Sequence, residues 1–71
     1  MRYLVIIEPS DDGFGAYVPD LPGCVAVADT REEVQQLIAE AISLHVADLR
    51  ETGQPVPLPS VESQFVELLE A

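Results

Sequence analysis

The run FGAYVPDLPGCVAVADTREE, residues 14–33, constrains the fold more than any other part of this chain. It contains a short strand pattern, a corner with two prolines, a second strand pattern and a helix start. Pro22-Gly23 is a favoured pair for the centre of a type II turn. Thr30 can cap the helix, with Glu33 returning a bond to the backbone N–H of Thr30. The run therefore predicts two strands joined by a tight corner and followed directly by a helix.

Apolar segments on both sides of this run extend the pattern. Arg2–Glu8 is rich in β-branched and aromatic residues and predicts a first strand, which Pro9 should end because proline has no N–H for the ladder. A hairpin loop of about four or five residues then leads to a strand at Phe14–Val18, and Cys24–Ala28 predicts the next strand. The helical spacing of apolar residues predicts a long helix at Arg31–Thr52. We expect an α+β fold with a three-stranded antiparallel meander and one long helix.

The last part of the chain allows two interpretations. Gly53 is a natural residue to follow the helix end, and the prolines of Gln54–Ser60 predict an extended run along the surface. Beyond it, a helix from Ser60 would place the apolar residues on one side, whereas a strand at Gln64–Leu69 would add to the sheet. The local pattern slightly favours the helix.

The chain length bounds the size of the core. Its 71 residues predict a single domain spanning residues 1–71. A domain of this size buries only about 60% of the surface that its unfolded chain exposes, so its core is marginal. Self-association reinforces such cores when disulfides and metals do not. We therefore expect a homo-oligomer, either a dimer or a tetramer.

The charge is strongly acidic, with 13 Asp and Glu residues, 3 Arg and Lys residues and a net charge of −10. Nucleic-acid binding needs clustered Lys and Arg, so direct contact with nucleic acid is not expected. An anionic membrane surface is disfavoured for the same reason. The charge suits a basic partner, because complementary fields speed association. It would equally serve to keep a small domain soluble.

Residues suited to catalysis are scarce. Cys24 lies in an apolar strand pattern and is interpreted as a buried hydrophobe, and His45, in the apolar stripe of the helix, as a core or interface histidine. His45 and Asp48 could offer two metal ligands, but no further ligand has suitable spacing. We expect no enzyme activity, no metal and no cofactor. The absence of signal-peptide and membrane-spanning patterns, together with a reduced cysteine, predicts a cytoplasmic protein.

Six segments, taken together, resemble the HicB-type antitoxin domain of bacterial and archaeal toxin–antitoxin pairs. They are YLVIIE, FGAYVPDLPGC, ADTREE, AISLHVADL, GQPVPLPS and FVELL, and they cover almost the whole chain. The resemblance implies a partial ribonuclease-H-like fold, in which a final strand follows the long helix. On that basis Gln64–Leu69 is expected to be a strand. The chain resembles a short form that lacks the C-terminal DNA-binding domain of many family members, so DNA binding is not implied.

The resemblance also implies a function, which is to bind and neutralise a small basic toxin of the HicA type that cleaves messenger RNA. The corner and the acidic helix start are the expected contact regions, because Val18, Val25 and Val27 are instead predicted to be sheet core. The predicted partner-binding residues are Tyr17, Asp20, Leu21, Pro22, Cys24, Asp29, Glu32 and Glu33. Two alternatives stay open: an orphan oligomeric acidic domain with a structural or regulatory role, and a degenerate metal-dependent nuclease, which is disfavoured because the strands offer few carboxylates.

Overall fold

The computed structural model describes residues 1–70. Within these residues the chain forms β1 (Ile6–Ser10), β2 (Gly13–Tyr17), β3 (Val25–Ala28) and α1 (Arg31–Glu51). The strands make one antiparallel sheet in the order β1-β2-β3. The predicted α+β class, with a three-stranded meander followed by one long helix, is confirmed.

The core lies between one face of the sheet and α1, which packs mainly on β2 and β3. Side chains of a strand alternate between its two faces, and Ala16 points towards the helix while its neighbour Tyr17 points away. Small alanine side chains on the covered face of β2 and β3 let the helix approach the sheet closely. The buried residues are Ala16, Val18, Leu21, Cys24, Val34 and Ile38.

The first hairpin differs from its prediction. β1 continues through Pro9 to Ser10, and Ser10 pairs with Gly13, so the loop has two residues instead of four or five. Pro9 is accepted because β1 is an edge strand, where a missing N–H leaves no neighbouring strand unpaired. At the other end, the predicted strand residues Arg2–Val5 are not part of the sheet. β2 ends opposite Ile6, and the chain then turns away.

Both ends of α1 have the predicted type of cap, and one detail differs. The Thr30 hydroxyl oxygen accepts a bond from the backbone N–H of Glu33 at 3.1 Å. The Glu33 carboxylate accepts a bond from the Thr30 hydroxyl group at 3.0 Å, whereas the backbone N–H of Thr30 was predicted to be the donor. At the C-terminal end, Gly53 has φ +73° and donates to Arg50, while Gln54 donates to Leu49. This is a Schellman motif, which satisfies the last helix carbonyls.

The predicted final strand is absent from the sheet of the described chain. Gln64–Leu69 forms neither a strand nor the alternative helix. Residues 61–63 lie beside Arg2–Val5, which are outside the sheet, and the chain beyond them is exposed to solvent, so Gln64–Leu69 pairs with neither free edge of the sheet. The prediction of a strand at this position is wrong for the single chain.

Candidate functional site

Two consecutive turns build the corner between β2 and β3. Leu21 donates its backbone N–H to Val18 O at 3.0 Å, and Cys24 donates to Leu21 O at 3.0 Å. Val18 in turn donates to Cys24 O at 3.2 Å, which closes the loop. Gly23 has φ +85° at the third position of the second turn, as a type II turn requires. The predicted turn is confirmed, and it gives the corner a rigid backbone.

Two of the predicted partner-binding residues belong to the core. Leu21 stands between the two turns with 0% of its surface exposed, and Cys24 is also buried. Burial raises the pKa of the Cys24 thiol because the apolar surroundings disfavour the charged thiolate. Neither side chain is available to a partner, and Cys24 has little nucleophilic character. The sequence could not reveal the burial of Leu21, since it depends on how the two turns fold back on the sheet.

Asp20 has a structural role that the sequence analysis missed. Its carboxylate accepts hydrogen bonds from Ser60 N at 3.1 Å, Ser60 Oγ at 2.8 Å and Val61 N at 3.2 Å. The bond from the Ser60 backbone, followed by those from Val61 and the Ser60 hydroxyl, lowers the pKa of Asp20. Tyr3 holds the same segment, because its hydroxyl group donates to Pro57 O. Asp20 therefore fastens the segment after the helix to the corner.

The face of the sheet that α1 does not cover is apolar and exposed. Tyr17 is 41% exposed, Val25 64% and Val27 78%. Tyr17 pairs directly with Val25, and Gly15 lies opposite Val27, so an apolar strip crosses β2 and β3. The prediction that Val25 and Val27 are sheet core is wrong. The antiparallel register was the missed signal, because it places them on the same face as Tyr17 and opposite to Ala16.

The other predicted contact residues are exposed, but they do not form one cluster. Pro22 lies at the corner, before β3 begins, whereas Asp29, Glu32 and Glu33 lie beyond its end. At about 3.3 Å per residue, the two regions are roughly 17 Å apart. The exposed strip joins them, and Asp12 shares a hollow with Asp29 at the acidic end. We call the exposed residues Tyr17, Val25 and Val27, with these two ends, the open face.

The structure locates the residues that were considered for metal binding and nucleophilic chemistry. Among residues 1–70, no group of three or more His, Cys, Asp and Glu side chains is placed to hold a metal ion. His45 is half-buried on α1, and Cys24 is buried in the core. Within the same residues, no helix combines the length and the apolar character needed to cross a bilayer.

These features define a small acidic α+β domain with one face of its sheet exposed. The model of the HicB-like antitoxin family of bacterial toxin–antitoxin systems matches residues 3–70. The chain therefore belongs to the HicB-like antitoxin family. Membership of an antitoxin family suggests a binding role.

Two curated relatives show the extent of the similarity. A 14.9 kDa protein of the rep–hol intergenic region of Haemophilus phage HP1 is 35% identical over 93% of this chain and 50% of its own length. A UPF0150 protein of Synechocystis is 45% identical over 79% of this chain and 72% of its own length. The chain thus spans only half the length of the phage protein.

A solved structure has the same fold. One chain of a HicA3 and HicB3 toxin–antitoxin complex superposes with a TM-score of 0.72 and 30% sequence identity. The match covers 84% of this chain and 70% of that one.

Proposed function

We propose that this chain is an antitoxin that binds and neutralises a small basic toxin of the HicA type, which cleaves messenger RNA. Two findings support the proposal: membership of the HicB-like family, and a structural relative solved in a complex of HicA3 and HicB3. Because messenger RNA is the toxin's substrate, the complex would form in the cytoplasm.

The observation that carries the proposal is the open face. Tyr17 and its neighbours Val25 and Val27 expose apolar surface beside a corner held by two turns. Protein interfaces concentrate their binding energy in a few central aromatic anchors, with tyrosine among the commonest. The rigid corner adds affinity because little conformational freedom is lost on binding. Tyr17 would be the central anchor, and Pro22 would contact the toxin at the edge.

Negative charge surrounds this apolar strip. Glu8 lies on the same face as Tyr17, opposite Gly15, and Asp29, Glu32 and Glu33 are exposed at the far end. Together with the net charge of −10, these carboxylates would attract a basic toxin and orient it before contact. They would act mainly on the rate of association, whereas Tyr17 would act on the rate of dissociation.

The test is co-expression with the protein of the neighbouring reading frame, which we expect to be small and basic, followed by purification of the complex. Tyr17→Ala should weaken the complex by about thirtyfold, as expected for an interface anchor worth about 2 kcal/mol. Glu32→Lys should mainly slow association, and Glu51→Lys is the matched control, because Glu51 is an exposed glutamate at the other end of α1.

The same preparation tests inhibition. Adding the chain to the purified toxin should stop RNA cleavage in proportion to complex formation, and the chain alone should not cleave RNA in the presence of Mg²⁺. A basic neighbour that never co-purifies with the chain would contradict the proposal. Tight binding that is unaffected by Tyr17→Ala would keep the function and reject the open face as its site.

A further inference from the structure

We propose that residues 64–69 bind to a second copy of this chain, where they add a strand to the outer edge of β3. We call these residues the tail. The starting observation is their exposure: Phe65 is 102% exposed, Val66 79%, Leu68 77% and Leu69 89%. Four of these six residues have large apolar side chains, and their exposure to water is unfavourable. A domain of this size has few such side chains to leave unused.

A matching apolar groove runs along the outer edge of β3. β3 is an edge strand, so its outer N–H and C=O groups have no neighbouring strand in the described sheet. Leu37, which is 42% exposed, and Leu44, which is 72% exposed, line this groove together with Val25 and Val27. Leu37 and Leu44 belong to α1, so the apolar surface of the helix continues past the last strand. The fold therefore has space for one more strand over this part of the helix.

The tail has the pattern that such a strand needs. Six extended residues span about 20 Å, which is enough to pair with all of β3. Alternation would turn Val66 and Leu68 towards Leu37 and Leu44 of the helix. Phe65 and Leu69 would then lie on the open side of the sheet, with Glu67 between them in water. The side that would face the helix carries no charged residue from the tail.

The position of the tail favours a second copy over its own chain. Asp20 holds Ser60 and Val61, and residues 61–63 then lie beside Arg2–Val5 on the β1 side of the domain. The groove lies at the opposite edge of the sheet, two strand spacings or about 10 Å away. A tail that crossed the sheet would use about three residues on the way and leave too few to pair with β3. Reciprocal exchange between two copies lets both tails use their full length.

Charge acts against this association and gives it a signature. Two chains that each carry a net charge of −10 repel each other. The Debye length is about 8 Å at physiological ionic strength and becomes shorter as salt is added. Added salt should therefore weaken the repulsion between the two chains and strengthen the dimer.

The experiment is sedimentation velocity on the 71-residue chain across a concentration series. The wild-type chain should sediment as a dimer, and the dimer dissociation constant should fall as the salt concentration rises. Leu68→Glu in the tail and Leu44→Glu in the groove should each raise the dimer dissociation constant by at least about tenfold, since each removes a buried leucine contact. Leu58→Glu is the matched control, because Leu58 is 76% exposed and lies outside both surfaces. All three positions are exposed in the single chain, so circular dichroism should show an unchanged helix.

Mixing the two variants tests the exchange itself. A Leu44→Glu chain keeps an intact tail and a Leu68→Glu chain keeps an intact groove, so a mixture should recover one of the two contacts and associate. A monomeric wild-type chain at all concentrations would overturn the proposal, whether the tail folds back or binds another protein. A dimer lost with Leu44→Glu but not with Leu68→Glu would indicate direct pairing of two β3 edges and would also overturn it.

Discussion

Replacement of Leu21 by alanine tests whether this corner residue is core or contact surface. The side chain is completely buried, and Leu21→Ala removes three carbon atoms. At about 0.8 kcal/mol per buried carbon, the transfer term is about 2.4 kcal/mol, and the residual cavity raises the expected loss to about 3 kcal/mol. A domain of 71 residues has a free energy of unfolding of about 4–10 kcal/mol. One substitution should therefore remove a large share of the stability.

The assay is urea unfolding followed by far-ultraviolet circular dichroism at one fixed protein concentration, since self-association would shift the transition. With a slope of about 1 kcal/mol per molar urea, the Leu21→Ala midpoint should fall by about 2–3 M. Leu58→Ala makes the same chemical change at a side chain that is 76% exposed. It should lose only about a quarter of the transfer term, or roughly 0.6 kcal/mol.

The reasoning is refuted if the two variants lose similar amounts of stability. Leu21 would then be removable without a cavity, and its assignment as a partner contact would regain support. Loss of toxin binding in a folded Leu21→Ala chain with wild-type stability would point the same way.

Three smaller changes test the corner, the helix start and the tail anchor. Asp20→Asn should speed hydrogen exchange at the two backbone amides that bond to the Asp20 carboxylate, and equal protection in the wild-type chain and the variant at neutral pH would contradict this role of Asp20. Because folding lowers the pKa of Asp20, the stabilisation from these hydrogen bonds is complete above the ordinary carboxyl range and is lost as the pH falls through the lowered pKa. Thr30→Ala should lower the free energy of unfolding by about 1 kcal/mol, because it removes the N-cap hydrogen bond, and Thr30→Ser should lower it by much less. Equal stabilities of the two variants would show that the cap does not stabilise the helix. Gly23→Ala should lower the free energy of unfolding by about 1 kcal/mol, because residue 23 has φ +85°. Gly15→Ala is the control and should be nearly neutral, because there is room for a Cβ atom at Gly15. Equal effects of the two substitutions would contradict the assignment of the turn.

Local chemistry made much of the fold predictable. The cap at Thr30, the turn at Pro22-Gly23 and the helix end at Gly53 each depend on a few neighbouring residues, and all three are confirmed. Pro9 shows where this reasoning fails, because a proline ends a central strand but is accepted at an edge. Whether a strand lies at an edge depends on the whole sheet. The final strand also depends on tertiary structure, because an apolar segment becomes a strand only where its backbone pairs with a sheet edge, and residues 64–69 stay unpaired and exposed.

The candidate site was less predictable, because exposure is a tertiary property. Tyr17 and Pro22 are exposed as expected, yet Leu21 between them is completely buried. Nothing in the sequence indicated that Asp20 has a structural role, because its hydrogen-bond donors lie about 40 residues further along the chain. Val25 and Val27 look like core in any hydrophobicity pattern. Only their pairing opposite Tyr17 and Gly15 shows that they face away from the helix.

The acidic charge affects the two proposed associations in opposite directions. A basic toxin and this chain attract each other, so salt should slow their association and weaken the complex. Two copies of the chain repel each other, so salt should tighten the dimer. When a toxin covers the open face, it also neutralises part of the charge that opposes dimerisation, and Val25 and Val27 border both surfaces. If this neutralisation of charge has a larger effect than steric crowding between the toxin and the tail at β3, linkage requires the dimer to bind the toxin more tightly than the monomer does. The sign of the salt dependence therefore identifies which of the two contacts a given measurement reports.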